Sequence, residues 1–226
     1  MRQLDLHNDC GGAAALNAPD TAVYLGGAWS LSGARMRFGQ NEEIFGAGEP
    51  ADYVYKVISG AVRTVRFSSD GRRQIVSFHM PGDTFGLEFG KRHGFSAEAV
   101  SACELALVRR SVVDRAASED LAAARALTEL MAQSLADARE HALVLGRKGA
   151  GERVAAFLIV LFDRDSKHGE VDLPMSRADI ADYLGLTIET VSRAFTQMER
   201  VCAIALPSSR HVVVRNRAAL EQLQAA

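Results

Sequence analysis

The 226-residue chain is short of several things at once. It has three cysteines, Cys10, Cys103 and Cys202, an odd number at wide spacing that fits neither a disulfide framework nor a closely spaced metal site. No apolar run approaches the roughly 18 residues that a bilayer span requires, and the opening MRQLDLHNDC has no signal-peptide core. The expectation is therefore a cytoplasmic protein with no membrane partner. An excess of charge of one sign is missing as well. The 26 Lys and Arg against 28 Asp and Glu leave −2, which taken alone argues against a nucleic-acid partner. What is present is 48% hydrophobic residues, enough for one large core or two modest ones and too many for a disordered chain.

The texture changes along the chain. Residues 1–25 are rich in Ala, Gly and Asn without a period, and read as a flexible arm. Over 29–110, β-branched and aromatic runs are separated by Gly, Pro, Asn and Asp. Tyr53, Tyr55 and Val57 alternate with other residues, and Val62 and Val65 flank a turn at 68–71. This pattern predicts an antiparallel β-roll or jelly roll occupying 26–117. From Ser118, placed as an N-cap, to Leu145 there is no Gly or Pro, which predicts one long helix over 118–146.

On that helix Leu127, Leu130, Met131, Leu135, Ala138, Ala142 and Leu145 recur at steps of three and four, interrupted at Ser134 and His141. The seam has two uses, packing on the roll or pairing with a second copy. A roll so small cannot cover so long a helix on every side, which favours a homodimer. Gly149 and Gly151 then read as a hinge. A helix over 152–162, a polar loop over 163–169 and a strand over 171–175 follow, giving an α+β chain whose last unit is 147–226.

The most specific stretch is 176–196, SRADIADYLGLTIETVSRAFT. A helix-turn-helix needs a small residue at the helix crossing, a turn residue tolerant of left-handed backbone, and aliphatics that lock the pair. Ala181, Gly185, and the set Ile180, Leu184, Leu186 and Val191 supply these in register, with Ser176 and Thr187 as caps. Ile188, Glu189, Ser192 and Arg193 lie on the outward face of the second helix near its start, where a recognition helix meets base edges. An i,i+4 surface pair is the ordinary use of Glu189 and Arg193. In a major groove, Arg donates twice to guanine and Glu accepts from cytosine.

Strands over 203–206 and 211–215 with Pro207, Ser208, Ser209 and Arg210 between them make the hairpin of a winged helix-turn-helix. Ser176, Arg177, Thr187 and Thr190 at the helix starts, and Ser208, Ser209 and Arg210 at the hairpin tip, are the candidates for phosphate contacts. Five arginines against two glutamates over 187–217 give a local +3, which answers the doubt raised by the total.

In this order, roll, long helix, glycine hinge and winged helix-turn-helix resemble the CRP/FNR superfamily of bacterial transcription regulators over residues 25–224. DIADYLGLTIETVSR and FHMPGDTFG are similar to the FNR and FixK branch. The resemblance implies that Glu189, Ser192 and Arg193 read bases in a TTGA-N6-TCAA palindrome bound by a homodimer, and that RNA polymerase is a further partner. FNR-type oxygen sensors carry a cluster of N-terminal cysteines, where this chain has Cys10 alone. The cyclic-nucleotide branch has Arg-Ser-Ala in the roll, where this chain has Phe95-Ser96-Ala97, and Phe cannot pair with a phosphate.

No cofactor is therefore expected, and His79, beside Met80 and Pro81, is read as a packed or solvated strand residue and not as a haem ligand. What remains resembles a FixK-type activator of microaerobic or nitrogen-fixation genes, with an effector-gated sensor as the alternative. An enzyme is not expected, since 29–110 holds only His79 and His93 and no His-x-His pair. Cys202 is expected in the core, with oxidation beside Arg200 as its other reading.

Overall fold

The computed structural model describes residues 21–26, 29–88, 90–147, 149–165 and 169–225. Strands β1 (Thr21–Gly26), β2 (Trp29–Phe38), β3 (Glu43–Phe45), β4 (Tyr53–Ser59), β5 (Val62–Phe67), β6 (Arg73–His79), β7 (Thr84–Phe85), β8 (Ser96–Ala99) and β9 (Cys103–Arg109) build the roll. They form two antiparallel sheets, ordered β1-β2-β9-β4-β7 and β3-β8-β5-β6. The alternation in β4 does what its period requires. Tyr55 and Val57 enter the core between the sheets with Phe45, Val62, Phe85 and Leu105, while Val54 turns to the opposite face with Ala106 and Val108. Strand β1 occupies part of the stretch expected to be a flexible arm, because Thr21 to Tyr24 pair in register with β2. The remainder of that arm, 1–20 with Cys10, lies outside the described residues.

The expected single helix over 118–146 is two helices, α1 (Arg110–Glu119) and α2 (Leu121–Arg147). The break is Asp120, whose backbone is extended (φ −129°, ψ 120°) and whose Oδ1 accepts the Ala122 N–H at 2.8 Å. It is this carboxylate, and not Ser118, that caps the long helix; the Ser118 hydroxyl donates back to Arg115 O inside α1. The apolar seam divides. Leu127 and Leu130 pack against the roll with Val113 and Val108, whereas from Met131 to Leu143 no residue is buried by its own chain, and Leu135 is 51% exposed.

Helix α3 (Ala150–Asp165), strand β10 (Glu170–Asp172), helices α4 (Arg177–Leu184) and α5 (Ile188–Arg200), strands β11 (Ile204–Ser208) and β12 (His211–Val214) and helix α6 (Arg217–Ala225) complete the chain. The strand expected over 171–175 is β10, shorter and shifted, and it adds an edge to the hairpin in the order β10-β12-β11. This unit does not stand apart from the roll. Val65, Ile75 and Phe78 share one buried cluster with Leu158, Ile180, Leu184 and Phe195. A bulge in β6 makes this possible. Thr64 pairs with Ser77 but Val65 with Ile75, so the extra residue lets Ile75 and Phe78, three apart, reach the same face.

The corner between β4 and β5 depends on Gly60, at φ +78°. A Cβ there would stand 2.4 Å from Ala102 O and 2.6 Å from Cys103 Cβ. Gly60→Ala is expected to destabilise the fold by about 2–4 kcal/mol, read as a lower urea midpoint at unchanged slope. A midpoint equal to wild type would contradict the tight corner.

Candidate nucleic-acid interface

Helix α4 begins at a complete capping box. The Asp179 N–H donates to Ser176 Oγ (3.1 Å), and Asp179 Oδ2 receives the Ser176 N–H (3.0 Å) and hydroxyl (2.8 Å). The helix ends at Gly185, in the left-handed conformation (φ 62°) that the turn requires, and Arg153 donates to Leu184 O at 3.0 Å. Ile180, Ala181, Leu184 and Val191 are buried at the crossing of α4 and α5. On α5, Val191, Phe195 and Met198 face inward at steps of four and three. Ile188, Glu189, Ser192 and Arg193 are exposed together on the other side, Ile188 at 47%.

The start of α5 is ordered by hydroxyls. Thr187 Oγ1 accepts the Thr190 N–H (3.2 Å) and lies 3.1 Å from Thr190 Oγ1, which in turn accepts from Arg193 Nη2 (3.2 Å). The Glu189 carboxyl sits below its ordinary range, first through its own backbone N–H at the helix start, then through Thr187 and the Arg193 charge. It is therefore an acceptor at neutral pH. Arg177 lies across the ring of Phe195, 3.2 Å from its centroid. Burial pushes its guanidinium down to about 10, still protonated at neutral pH, and its Nη1 is buried without a hydrogen-bond partner among the described residues.

The hairpin turn is tighter than expected, because β11 runs on through Pro207 and Ser208 and leaves Ser209 and Arg210 at the tip. Ser208 Oγ accepts the N–H groups of Arg210 (3.3 Å) and His211 (3.1 Å), so this hydroxyl closes the turn. Arg210 Nη1 donates to Pro174 O at 3.3 Å, which brings the wing tip to the strand end just before Ser176. Arg217, counted in the basic stretch, is neutralised by Asp163 and Glu221. Arg193, Arg200, Arg210 and Arg215 remain.

Cys202 is exposed, contrary to the expectation of a core position. It occupies the left-handed position (φ 56°) after α5, donating to Glu199 O, with Ala203 N bonded to Met198 O. This is the paired-bond ending usually given to glycine, and it turns the side chain of that residue outward.

Inside the roll, the space between the sheets is taken up by the chain's own rings. Phe45 stacks on His93 at 3.6 Å between centroids, Tyr55 on Phe85 at 5.1 Å, and His79 on Phe85 at 4.7 Å. Burial pushes His79 down to about 4 and Cys103 up to about 11, so both are neutral at physiological pH. Among the described residues no group of three His, Cys, Asp or Glu side chains is placed to hold a metal ion, and no helix is long and apolar enough to cross a membrane.

Comparison with known proteins agrees with this architecture. A Crp-like helix-turn-helix domain matches residues 152–223, and a cyclic nucleotide-binding domain matches 35–120. The nitrogen fixation regulation protein FixK of Azorhizobium caulinodans is 52% identical over 191 residues, 82% of this chain and 77% of that protein. The FixK protein of Rhizobium meliloti is 44% identical over 196 residues, 85% of this chain and 89% of that protein. The solved structure of FixK2 from Bradyrhizobium japonicum superposes with a TM-score of 0.84 at 48% identity, covering 87% of this chain and 99% of that one.

The wing carries a titratable tie. His211 Nδ1 is 2.7 Å from Asp172 Oδ1 and Nε2 is 3.3 Å from Glu170 Oε2. The Asp172 hydrogen bond, then the two carboxylate charges, raise the imidazole above its ordinary 6.5 despite some desolvation. A raised value means that the stabilisation is full below 6.5 and fades as pH rises through the raised value. His211→Gln is therefore expected to flatten the fall in thermal stability between about pH 6 and 8. A His211 ring titrating at or below 6.5 in proton NMR would contradict the tie.

Proposed function

This chain belongs to the CRP/FNR superfamily of bacterial transcription regulators, in its FixK-type branch, and from that membership we propose how it reads DNA. It is a DNA-binding activator of the FixK/FNR kind, whose relatives include nitrogen fixation regulation proteins, the transcriptional activator FnrL and an anaerobic regulatory protein. Our reading is that two copies pair along α2, place two α5 helices in successive major grooves of a TTGA-N6-TCAA palindrome, and activate microaerobic or nitrogen-fixation genes in the cytoplasm. The division of labour is a roll from β1 to β9 with α1 against it, a pairing helix α2 (Leu121–Arg147) and a reading unit from α3 onward.

The observation that carries this reading is the exposed set Ile188, Glu189, Ser192 and Arg193 at the start of α5. Thr190 accepts from Arg193 and Thr187 caps the same turn, while Arg210 at the wing tip reaches Pro174 O beside Ser176 at the start of α4. Arg193 and Glu189 are the base readers, suited to guanine and cytosine. Ser176, Arg177, Thr187, Thr190, Ser208, Ser209 and Arg210 are the backbone contacts of this reading. The filled interior of the roll supports DNA binding that needs no effector. The roll surface and the reading unit are the faces offered to RNA polymerase.

Two measurements test this reading. Arg193→Ala is expected to cost about 1–3 kcal/mol on the palindrome and to relax the guanine preference. Arg210→Ala should weaken all duplexes alike and flatten the salt slope by about one unit. Equal losses on palindrome and scrambled DNA for Arg193→Ala would refute base reading. For the pairing helix, Leu135→Glu puts a charge on the uncovered seam and is expected to shift the sedimentation coefficient from dimer to monomer. A wild type that sediments as a monomer at micromolar concentration would refute pairing along α2.

A further inference from the structure

The reading unit is tied to the roll by ions as well as by apolar contact. Arg63, on β5, has a side chain only 8% exposed, and every one of its donor nitrogens is used. Nε and Nη2 reach Glu98 Oε2 at 2.8 and 2.7 Å, Nη2 also reaches Asn41 Oδ1 at 3.2 Å, and Nη1 crosses to Asp179 Oδ1 on α4 at 3.0 Å. Arg73, on β6, bonds Asp179 Oδ1 at 2.8 Å and Asp182 Oδ2 at 2.8 Å. Gln74 adds a bond from Nε2 to Asp182 O at 2.6 Å.

Asp179 therefore uses one oxygen for the capping box that starts α4 and the other for two arginines of the roll. Burial alone would raise its carboxyl, but the Ser176 hydrogen bonds and the two arginine charges outweigh this and hold it below the ordinary range. Apolar packing beside it, with Tyr183 among Phe78, Phe157 and His141, is attractive but indifferent to small rotations. Charge-assisted hydrogen bonds are directional, so the ionic cluster is what fixes the angle of α4 on the sheet.

We propose that Arg63 and Arg73 are positioning residues for DNA reading: they clamp α4 to the roll, and so set the separation and twist of the two recognition helices without a ligand. The proposal rests on the dimeric reading of the interface given above. The clamp acts through α4, since neither arginine belongs to the exposed set on α5. Its consequence is intolerance of half-site spacing. Each inserted base pair rotates one half-site by about 35° around the duplex, which a clamped pair of heads cannot follow.

The test measures binding of the purified full chain to the TTGA-N6-TCAA palindrome, to versions with the spacer lengthened by one or two base pairs, and to scrambled DNA. The single variants are Arg73→Gln and Asp182→Asn, each checked for an unchanged urea midpoint, with Arg73→Lys as the control that keeps the charge. The single variants are expected to bind the palindrome about tenfold more weakly and to lose most of the preference for the native spacing. The Arg73→Lys control, which keeps a cation between Asp179 and Asp182, is expected to retain most of both. Mere loss of stability would lower binding to every duplex without changing the spacing ratio, and that result overturns the clamp, as does a wild-type spacing ratio in the single variants. A wild type that does not distinguish the palindrome from scrambled DNA instead overturns the DNA reading itself, and the clamp with it.

Discussion

The carboxylate of Asp179 stands at the point where the two halves of the molecule meet. On one side it closes the first turn of α4, and with it the geometry of Ser176, Arg177 and everything that α4 supports. On the other it receives two arginines from a β-sheet more than a hundred residues earlier in the chain. A buried carboxylate is costly unless its lone pairs are used, and here they are used by groups from both units. Folding of the helix start and docking of the helix on the roll are consequently one event. Neither the capping box nor the ion cluster satisfies that oxygen pair alone.

Function follows from how this docking divides the surface. The inner end of α2 is held by the roll through Leu127 and Leu130, while between Met131 and Leu143 only Met131 and His141 are even half-buried by their own chain. The same fold that leaves most of this stretch exposed holds α5 with its polar face free. In the proposed dimer, pairing uses the exposed seam of α2 and reading uses the polar face of α5, two separate surfaces of one body. His141 shows the economy of the arrangement: it breaks the apolar seam of α2 because its ring stacks on Tyr183 of α4, 4.0 Å away.

Much of the reading unit was legible in the sequence, since its signals are local. Ser176, Gly185 and Thr187 mark helix ends by chemistry that acts over three or four residues, and the structure places all three as such. The roll was legible as a class through alternation in β4 and turn residues, although not its strand order. What could not be read was set by partners distant in the chain. The bulge in β6 breaks the period of two on which face assignments rest, so the common face of Ile75 and Phe78 was invisible. Arg63 and Arg73 look like ordinary strand surface charges until α4 arrives. Asp120 carried a local signal, a capping carboxylate two residues after Ser118, but the unbroken run of helix formers on either side hid it. Cys202 was misplaced because average burial of cysteine says nothing about a position that the backbone reserves for glycine.

The four-stranded sheet β3-β8-β5-β6 has one face in the core of the roll and the other under α4, and this bears on how such a protein can be taken apart. Its outer face carries Val65, Ile75 and Phe78 together with two cations matched to α4. A cut between α2 and α3, where Gly149 lies between the helices and Gly151, expected to share a hinge with it, belongs to α3, would expose a greasy, charged imprint on one fragment and its counterpart on the other. The reading unit is thus not an interchangeable cartridge. A chimera that grafts it onto a foreign sensor would have to carry along the residues of β5 and β6 that it is moulded against, and natural exchange of such heads between regulators faces the same constraint.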